Sequence, residues 1–260
     1  MLIGFDIGNT HIVTGIYSNN GSQLTSFRTA TNANLTEDQY FSYLKTLSDF
    51  KNINLKEINS VVISSVVPNL TNIFNFLSKK YFNTEPLIIN SKIKLPFTFS
   101  KEIESPSTMG ADRIVDVAEA IFKYPDKNEI IVIDFGTATT FEIIKNKTYL
   151  GGCILPGINM SIDALFSKTS KLPKVRFEKP ETVLGRNTVE HINTGIYYGA
   201  IGQIKEIISQ YKKHLDSPYI ISTGGVGKII SNEISEINEY NENLAVDGLF
   251  SLFKYNKPEN

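Results

Sequence analysis

Short runs of aliphatic and β-branched residues, each closed by turn chemistry, open the chain. Leu2–Ile7 is the first, Ile12–Ser18 the second, and Leu24–Arg28 the third. Asn19-Asn20-Gly21 stands between the last two, and such residues tolerate positive φ, so an antiparallel meander is predicted. Thr36 and Gln39 have the spacing of a capping box, and Phe41, Leu44, Leu47 and Phe50 follow three residues apart. That spacing predicts a helix. Ser60–Val67 reads as a buried strand that stops at Pro68; a helix over Asn69–Tyr81 and a strand at Leu87–Ile89 follow. Residues 90–107, with Pro96 and Pro106, read as irregular, and Ile114, Val117, Ala118 and Ile121 predict a helix over Ala111–Phe122.

The opening pattern then returns. Ile130–Phe135 is an apolar run followed by a Gly/Thr turn, a strand at Phe141–Ile144 and another near Thr148–Leu150. Gly151–Gly157 reads as a glycine-bracketed strand, and Thr188–Leu215 as a long helical stretch with room for a break. Its glycines, Gly195, Gly199 and Gly202, suit close packing of helix backbones; polar flanks argue against a membrane pair. Tyr219–Thr223 predicts a strand ending at Gly224-Gly225, and Asn243–Tyr255 a short amphipathic helix. Ile3–Val13 and Ile131–Ile143 share one form, an apolar strand, Asp-x-Gly, a Thr-containing turn and a second strand, about half the chain apart. Duplication of an α/β domain is expected, divided into residues 1–115 and 116–260.

Composition removes several function classes. The 260 residues carry Lys+Arg 26 against Asp+Glu 27, so no basic field exists for a nucleic-acid backbone. A single cysteine, Cys153, excludes a disulfide framework and a cysteine-based zinc cage, and its apolar strand makes it a packing residue. His11, His191 and His214 have no ligand-like spacing. No apolar run approaches the ~18 residues of a membrane span, and Met1–Phe5 passes directly to Asp6 without a basic leader. A cytoplasmic protein without membrane or nucleic-acid partners is expected.

The chemistry concentrates at the turns. In Asp6-Ile7-Gly8-Asn9-Thr10 a strand-end carboxylate suits magnesium, while Asn9 and Thr10 supply donors for phosphate oxygens. A plain hairpin with an Asx-turn explains one such segment equally well. Its second copy, Asp134-Phe135-Gly136-Thr137-Ala138-Thr139-Thr140, favours a pair of turns serving the phosphate tail of a nucleotide. Neither is a Walker A loop. Gly110-Ala111-Asp112-Arg113 sets a carboxylate beside a guanidinium at a helix start, where dipole and Arg113 favour the ionised form. Asp112 suits a base for an acceptor alcohol and Arg113 a clamp for an anionic group on it; a helix cap with a surface ion pair is the alternative.

Taken together, DIGNTHIVTG at Asp6–Gly15, GADR at Gly110–Arg113, DFGTATT at Asp134–Thr140, GGCILPG at Gly151–Gly157, SKLP at Ser170–Pro173, GRNT at Gly185–Thr188 and STGG at Ser222–Gly225 resemble the type III pantothenate kinases. These belong to the superfamily of actin, Hsp70 and sugar kinases. The resemblance implies two RNase H-like, actin-like α/β domains with mixed central sheets and ATP between them. It also implies phosphorylation of pantothenate as the first step of coenzyme A synthesis. By the matched motifs, Asp6, Ile7, Gly8, Asn9, Thr10, His11, Ile12 and Val13 form the first phosphate loop, and Thr137 also contacts ATP. Asp112 is the base, and Gly110, Ala111, Asp112, Arg113 and Thr188 hold pantothenate. Asp134 binds the monovalent cation, potassium or ammonium, beside magnesium–ATP, for which Asp6 is a candidate ligand. The family also implies a homodimer. One departure stands out: relatives often carry tyrosine three residues before a proline where this chain has Ile103 before Pro106, leaving Phe97, Phe99 or nothing in its place. A kinase for another small alcohol such as a sugar, or a non-catalytic nucleotide-binding regulator, are the competing readings.

Overall fold

The fold is that of a computed structural model, which describes residues 1–257. Two compact units divide the chain. The first comprises Met1–Thr98, Glu104–Lys123 and the segment from Asn243 onward; the second comprises Phe99–Ile103 and Tyr124–Glu242. The expected division after residue 115 is therefore corrected. It would cut a continuous helix, Ala111–Lys123, and it assigns the last helix of the chain, Leu244–Asn256, to the wrong unit. That helix packs on the first unit because Leu244, Leu249 and Leu252 are fully buried there, with Leu249 lying against Gly4 and Val246 against Gly15.

In the first unit β1 (Leu2–Ile7), β2 (His11–Tyr17) and β3 (Gln23–Ala30) form the expected meander. Helix α1 (Glu37–Phe50) starts at a capping box in which Thr36 and Gln39 bond reciprocally. β4 (Ser60–Ser65) leads into α2 (Pro68–Phe82), where Pro68 sits in the first turn, a position with no intrahelical use for its missing N–H. β5 (Leu87–Ile88) and α3 (Ala111–Lys123) complete the set. The sheet order is β3-β2-β1-β4-β5, antiparallel along the meander and parallel from β1 to β5. Ile3, Phe5 and Ile7 alternate into the core that α1 and α2 cover with Leu44, Leu70 and Phe74.

The second unit repeats this plan. A two-residue strand, β6 (Thr98–Phe99), lies at the sheet edge beside the strands β7 (Glu129–Phe135), β8 (Ala138–Lys145) and β9 (Thr148–Pro156). Helices α4 (Ile158–Lys168) and α5 (Thr188–Tyr211) follow, then β10 (Tyr219–Thr223), the short α6 (Gly227–Ser231) and β11 (Glu239–Tyr240). The order β11-β10-β7-β8-β9-β6 places β7 where β1 stands in the first sheet and β10 where β4 stands. The duplication read from the two Asp-x-Gly turns is thus a duplication of topology. Thr148–Leu150 and Gly151–Gly157 are one strand rather than two, with a register shift near Ile143 and positive φ at Gly151. The helix from Thr188 is unbroken to Tyr211. No helix among the described residues is long and apolar enough to cross a membrane.

Candidate active site

Strand alternation that buries Phe5 and Ile7 under α1 and α2 turns Asp6 to the opposite face of β1. There Asp6 lies in register with Ser64 of β4, whose fully buried hydroxyl donates to Asp6 Oδ1 at 3.0 Å. Burial, and after it the charge of Asp112, push the Asp6 carboxyl up to about 6, against the opposing bond from Ser64. The phosphate-type turn follows at once. Gly8 N–H donates to the His11 carbonyl at 3.0 Å, while the Gly8 carbonyl accepts the Thr31 hydroxyl at 2.7 Å. Asn9, Thr10 and His11 are exposed at the tip and Val13 is half-buried. Ile7 and Ile12 are each 1% exposed, so of the expected ATP contacts these two offer backbone alone.

Asp112 occupies the first turn of α3, held by the Arg113 N–H, which donates to its Oδ1 at 2.8 Å. Ala111 is buried beside it and Arg113 is half-buried. A Cβ on Gly110 would lie 2.5 Å from Asp112 Oδ1, so the carboxylate occupies the space that any other residue would fill. Arg113 favours the ionised carboxylate, as its place in the sequence implies, but a larger effect opposes it. Burial raises the Asp112 pKa and outweighs the Arg113 backbone bond and guanidinium, which act to lower it. Asp6 and Asp112 are therefore neighbouring carboxylates in one unit, both held above the ordinary range.

In the second unit Asp134 ends β7, paired with Thr223 of β10. Gly224 follows with φ +91°, and a Cβ there would lie 2.5 Å from Asp134 Oδ1. The Gly224 carbonyl accepts the Tyr240 hydroxyl at 3.0 Å. Thr137 is exposed on the β7–β8 turn. One carboxylate among close backbone groups fits a monovalent cation, which takes carbonyl and carboxylate oxygens. It offers no cage for a tightly held transition metal, and no cluster of three ligating side chains occurs among the described residues.

Thr188 is exposed at the start of α5, and its motif is built as a cap. Asn187 Oδ1 accepts the Glu190 N–H at 3.1 Å. The Glu190 carboxylate accepts the Arg186 N–H and the Asn187 side-chain amide, each at 2.7 Å. His191 Nε2 reaches the Gly185 carbonyl at 2.9 Å. Further along α5 the expected close helix packing is not met. A Cβ at Gly195, Gly199 or Gly202 would touch nothing within 4 Å, and Gly195 and Gly199 instead line an open groove with Phe135, Leu155 and Ile158. Of the candidate replacements for the family tyrosine, Phe97 is buried and Phe99 is held edge-on by Tyr149, with ring centres 5.9 Å apart.

Sequence reading missed Ser64, Thr31, Glu190 and Tyr240. Strand register brings Ser64 and Thr31 to the first turn and Tyr240 comes from a later strand, whereas Glu190 stands three residues after the N-cap Asn187, a capping spacing that the sequence alone displays.

The family profile described as type III pantothenate kinase matches residues 2–210. A type III pantothenate kinase from Fusobacterium nucleatum is 51% identical over 258 residues, covering 99% of this chain and 100% of that protein. Among solved structures, the activator of 2-hydroxyisocaproyl-CoA dehydratase from Clostridium difficile, with bound ADPNP, superposes with TM-score 0.56 at 14% identity over 98% of this chain and 93% of that one. Component A of (R)-2-hydroxyglutaryl-CoA dehydratase from Acidaminococcus fermentans gives 0.54 at 12% identity, over 98% and 96%. These two share the fold, that of the actin-like ATPases and sugar kinases. With the profile spanning most of its length and a relative matching it end to end, the chain belongs to the type III pantothenate kinase family.

Proposed function

We propose that Asp112 is the base in the family's reaction, the ATP-dependent phosphorylation of pantothenate that opens coenzyme A synthesis. The primary hydroxyl gives its proton to the Asp112 carboxylate as its oxygen attacks the γ-phosphorus. The bond from that phosphorus to the β–γ bridging oxygen breaks, and ADP leaves with the electron pair. The observation carrying this is the fixed, half-buried Asp112: the Arg113 N–H sets its orientation, and desolvation raises its pKa toward that of a useful base. Arg113 clamps the pantothenate carboxylate, with Gly110, Ala111 and Thr188 as further contacts.

The turn Asp6–Val13 takes the ATP phosphates, with Asp6 on the magnesium side and Thr137 as a further ATP ligand. Magnesium and a potassium or ammonium ion, when bound, neutralise phosphate charge, and Asp134 is the residue that would hold the monovalent ion. A homodimer is supported by two features of the second unit: the apolar side chains of Ile154, Met160, Phe166, Leu184 and Val189 are exposed, and the surroundings of Gly195, Gly199 and Gly202 on α5 are open. The test is turnover by purified protein supplied with ATP and either pantothenate or hexoses, with and without potassium or ammonium. Phosphopantothenate formation that depends on the cation is expected. ATP binding with no pantothenate turnover overturns the assignment.

A further inference from the structure

We propose that Thr31 is a positioning residue for ATP, fixing the phosphate turn through the Gly8 and Thr10 carbonyls that flank the Asn9-Thr10 pair. The turn carries the ligands of the reading above, and this proposal rests on that reading. One bond, from Gly8 N–H to the His11 carbonyl, closes the hairpin, and Asn9 and Thr10 stand exposed beyond it. The β2–β3 register sets Ala30 opposite His11, so the next residue of the outer strand, Thr31, arrives over the tip. There its hydroxyl donates to the Gly8 carbonyl at 2.7 Å and its N–H donates to the Thr10 carbonyl at 3.0 Å.

The side-chain bond has a consequence for binding. A two-residue hairpin tip samples several conformations unless its peptides are tethered, and a ligand that needs one of them must pay for the ordering. Thr31 ties the peptides on both sides of the Asn9-Thr10 pair, and the hydroxyl supplies one of those ties. Thr31 touches neither pantothenate chemistry nor the Asp112 region through any of these bonds, so its loss is felt on the ATP side.

Thr31→Val removes the hydroxyl at nearly constant shape and keeps the backbone bond. Calorimetry with the non-hydrolysable β,γ-imido analogue of ATP reads the effect directly on the full-length chain. The dissociation constant is expected to rise about three- to tenfold, the size of one lost hydrogen bond. KM for pantothenate and the melting temperature stay at their wild-type values. Thr31→Ser restores the affinity, and Thr31→Ala reproduces the valine result should valine fold poorly. Unchanged nucleotide affinity in Thr31→Val and Thr31→Ala, or an equal weakening of pantothenate, overturns the proposal. Asp6→Asn separates the two levels. If it weakens the nucleotide while Thr31→Val does not, the Thr31 assignment alone falls; if neither does, the turn is not the phosphate site and both readings fall.

Discussion

Gly110 offers a test of Asp112 that leaves Asp112 in place. Gly110 has no positive φ, so alanine there meets no backbone penalty and contact alone decides the outcome. The new methyl carbon would lie 2.5 Å from Asp112 Oδ1 and 3.5 Å from Val66 Cγ1. Ordinary contact requires the carboxylate oxygen to retreat by about 1 Å, and a displacement of that size at a reacting group costs on the order of 100-fold in rate. Retreat also strains the 2.8 Å bond from Arg113 N–H that orients the carboxylate. Gly110→Ala should therefore lower kcat about 100-fold while ATP affinity is preserved. Steady-state turnover with saturating ATP and pantothenate measures the first, calorimetry with the imido analogue the second, and circular dichroism confirms the fold. A Gly110→Ala enzyme turning over within about threefold of wild type refutes the reasoning, because a base that can be moved without consequence is not the base.

Asp112→Asn removes the proton acceptor outright and should lower kcat about 10²–10⁴-fold with nucleotide binding retained, as read by the same two assays. Gly224→Ala forces an L-residue into φ +91° and crowds Asp134, so the potassium concentration for half-maximal activation should rise severalfold in a titration of initial rates. Glu119, buried on α3, is pushed up to about 7 by burial and then by the charge of Asp247, with Ser251 and Lys123 opposing. The native carboxyl thus keeps its proton through a window, roughly pH 4.3–7, in which the unfolded chain has lost it, so stability falls as pH rises across that window, by up to roughly 3 kcal/mol. Glu119→Gln should flatten this dependence, and a wild-type melting temperature that does not decline between pH 5 and 8 would contradict it.

Local chemistry made much of this molecule legible. Thr36 and Gln39 announce α1 because a capping box is complete within four residues, and the two Asp-x-Gly turns announce the duplication because each lies between strands adjacent in sequence. What failed was whatever depends on distant segments. The division after residue 115 failed because the last helix crosses back to cover Gly4 and Gly15, a contact no local pattern encodes. Gly195, Gly199 and Gly202 have the spacing of a packed helix face, yet their surroundings are open, since spacing specifies a face and not its occupant. At Asp112 the neighbouring Arg113 acts in the direction its sequence position implies, but desolvation, which depends on the surrounding fold and not on local sequence, outweighs it. Thr31 was invisible for a similar reason: only the β2–β3 register carries it to the phosphate turn.

The return of Leu244–Asn256 to the first unit sets an order of events on the ribosome. The strands carrying Asp6 and Ser64 emerge early, but the helix that shields Gly4, Gly15 and Tyr17 is made after every residue of the second unit. Until then β1 and β2 lack the helix that packs on them, so nascent chains stalled before residue 244 would expose these strands to chaperones and proteases. The first unit of this enzyme is thus completed only after the second has been synthesised.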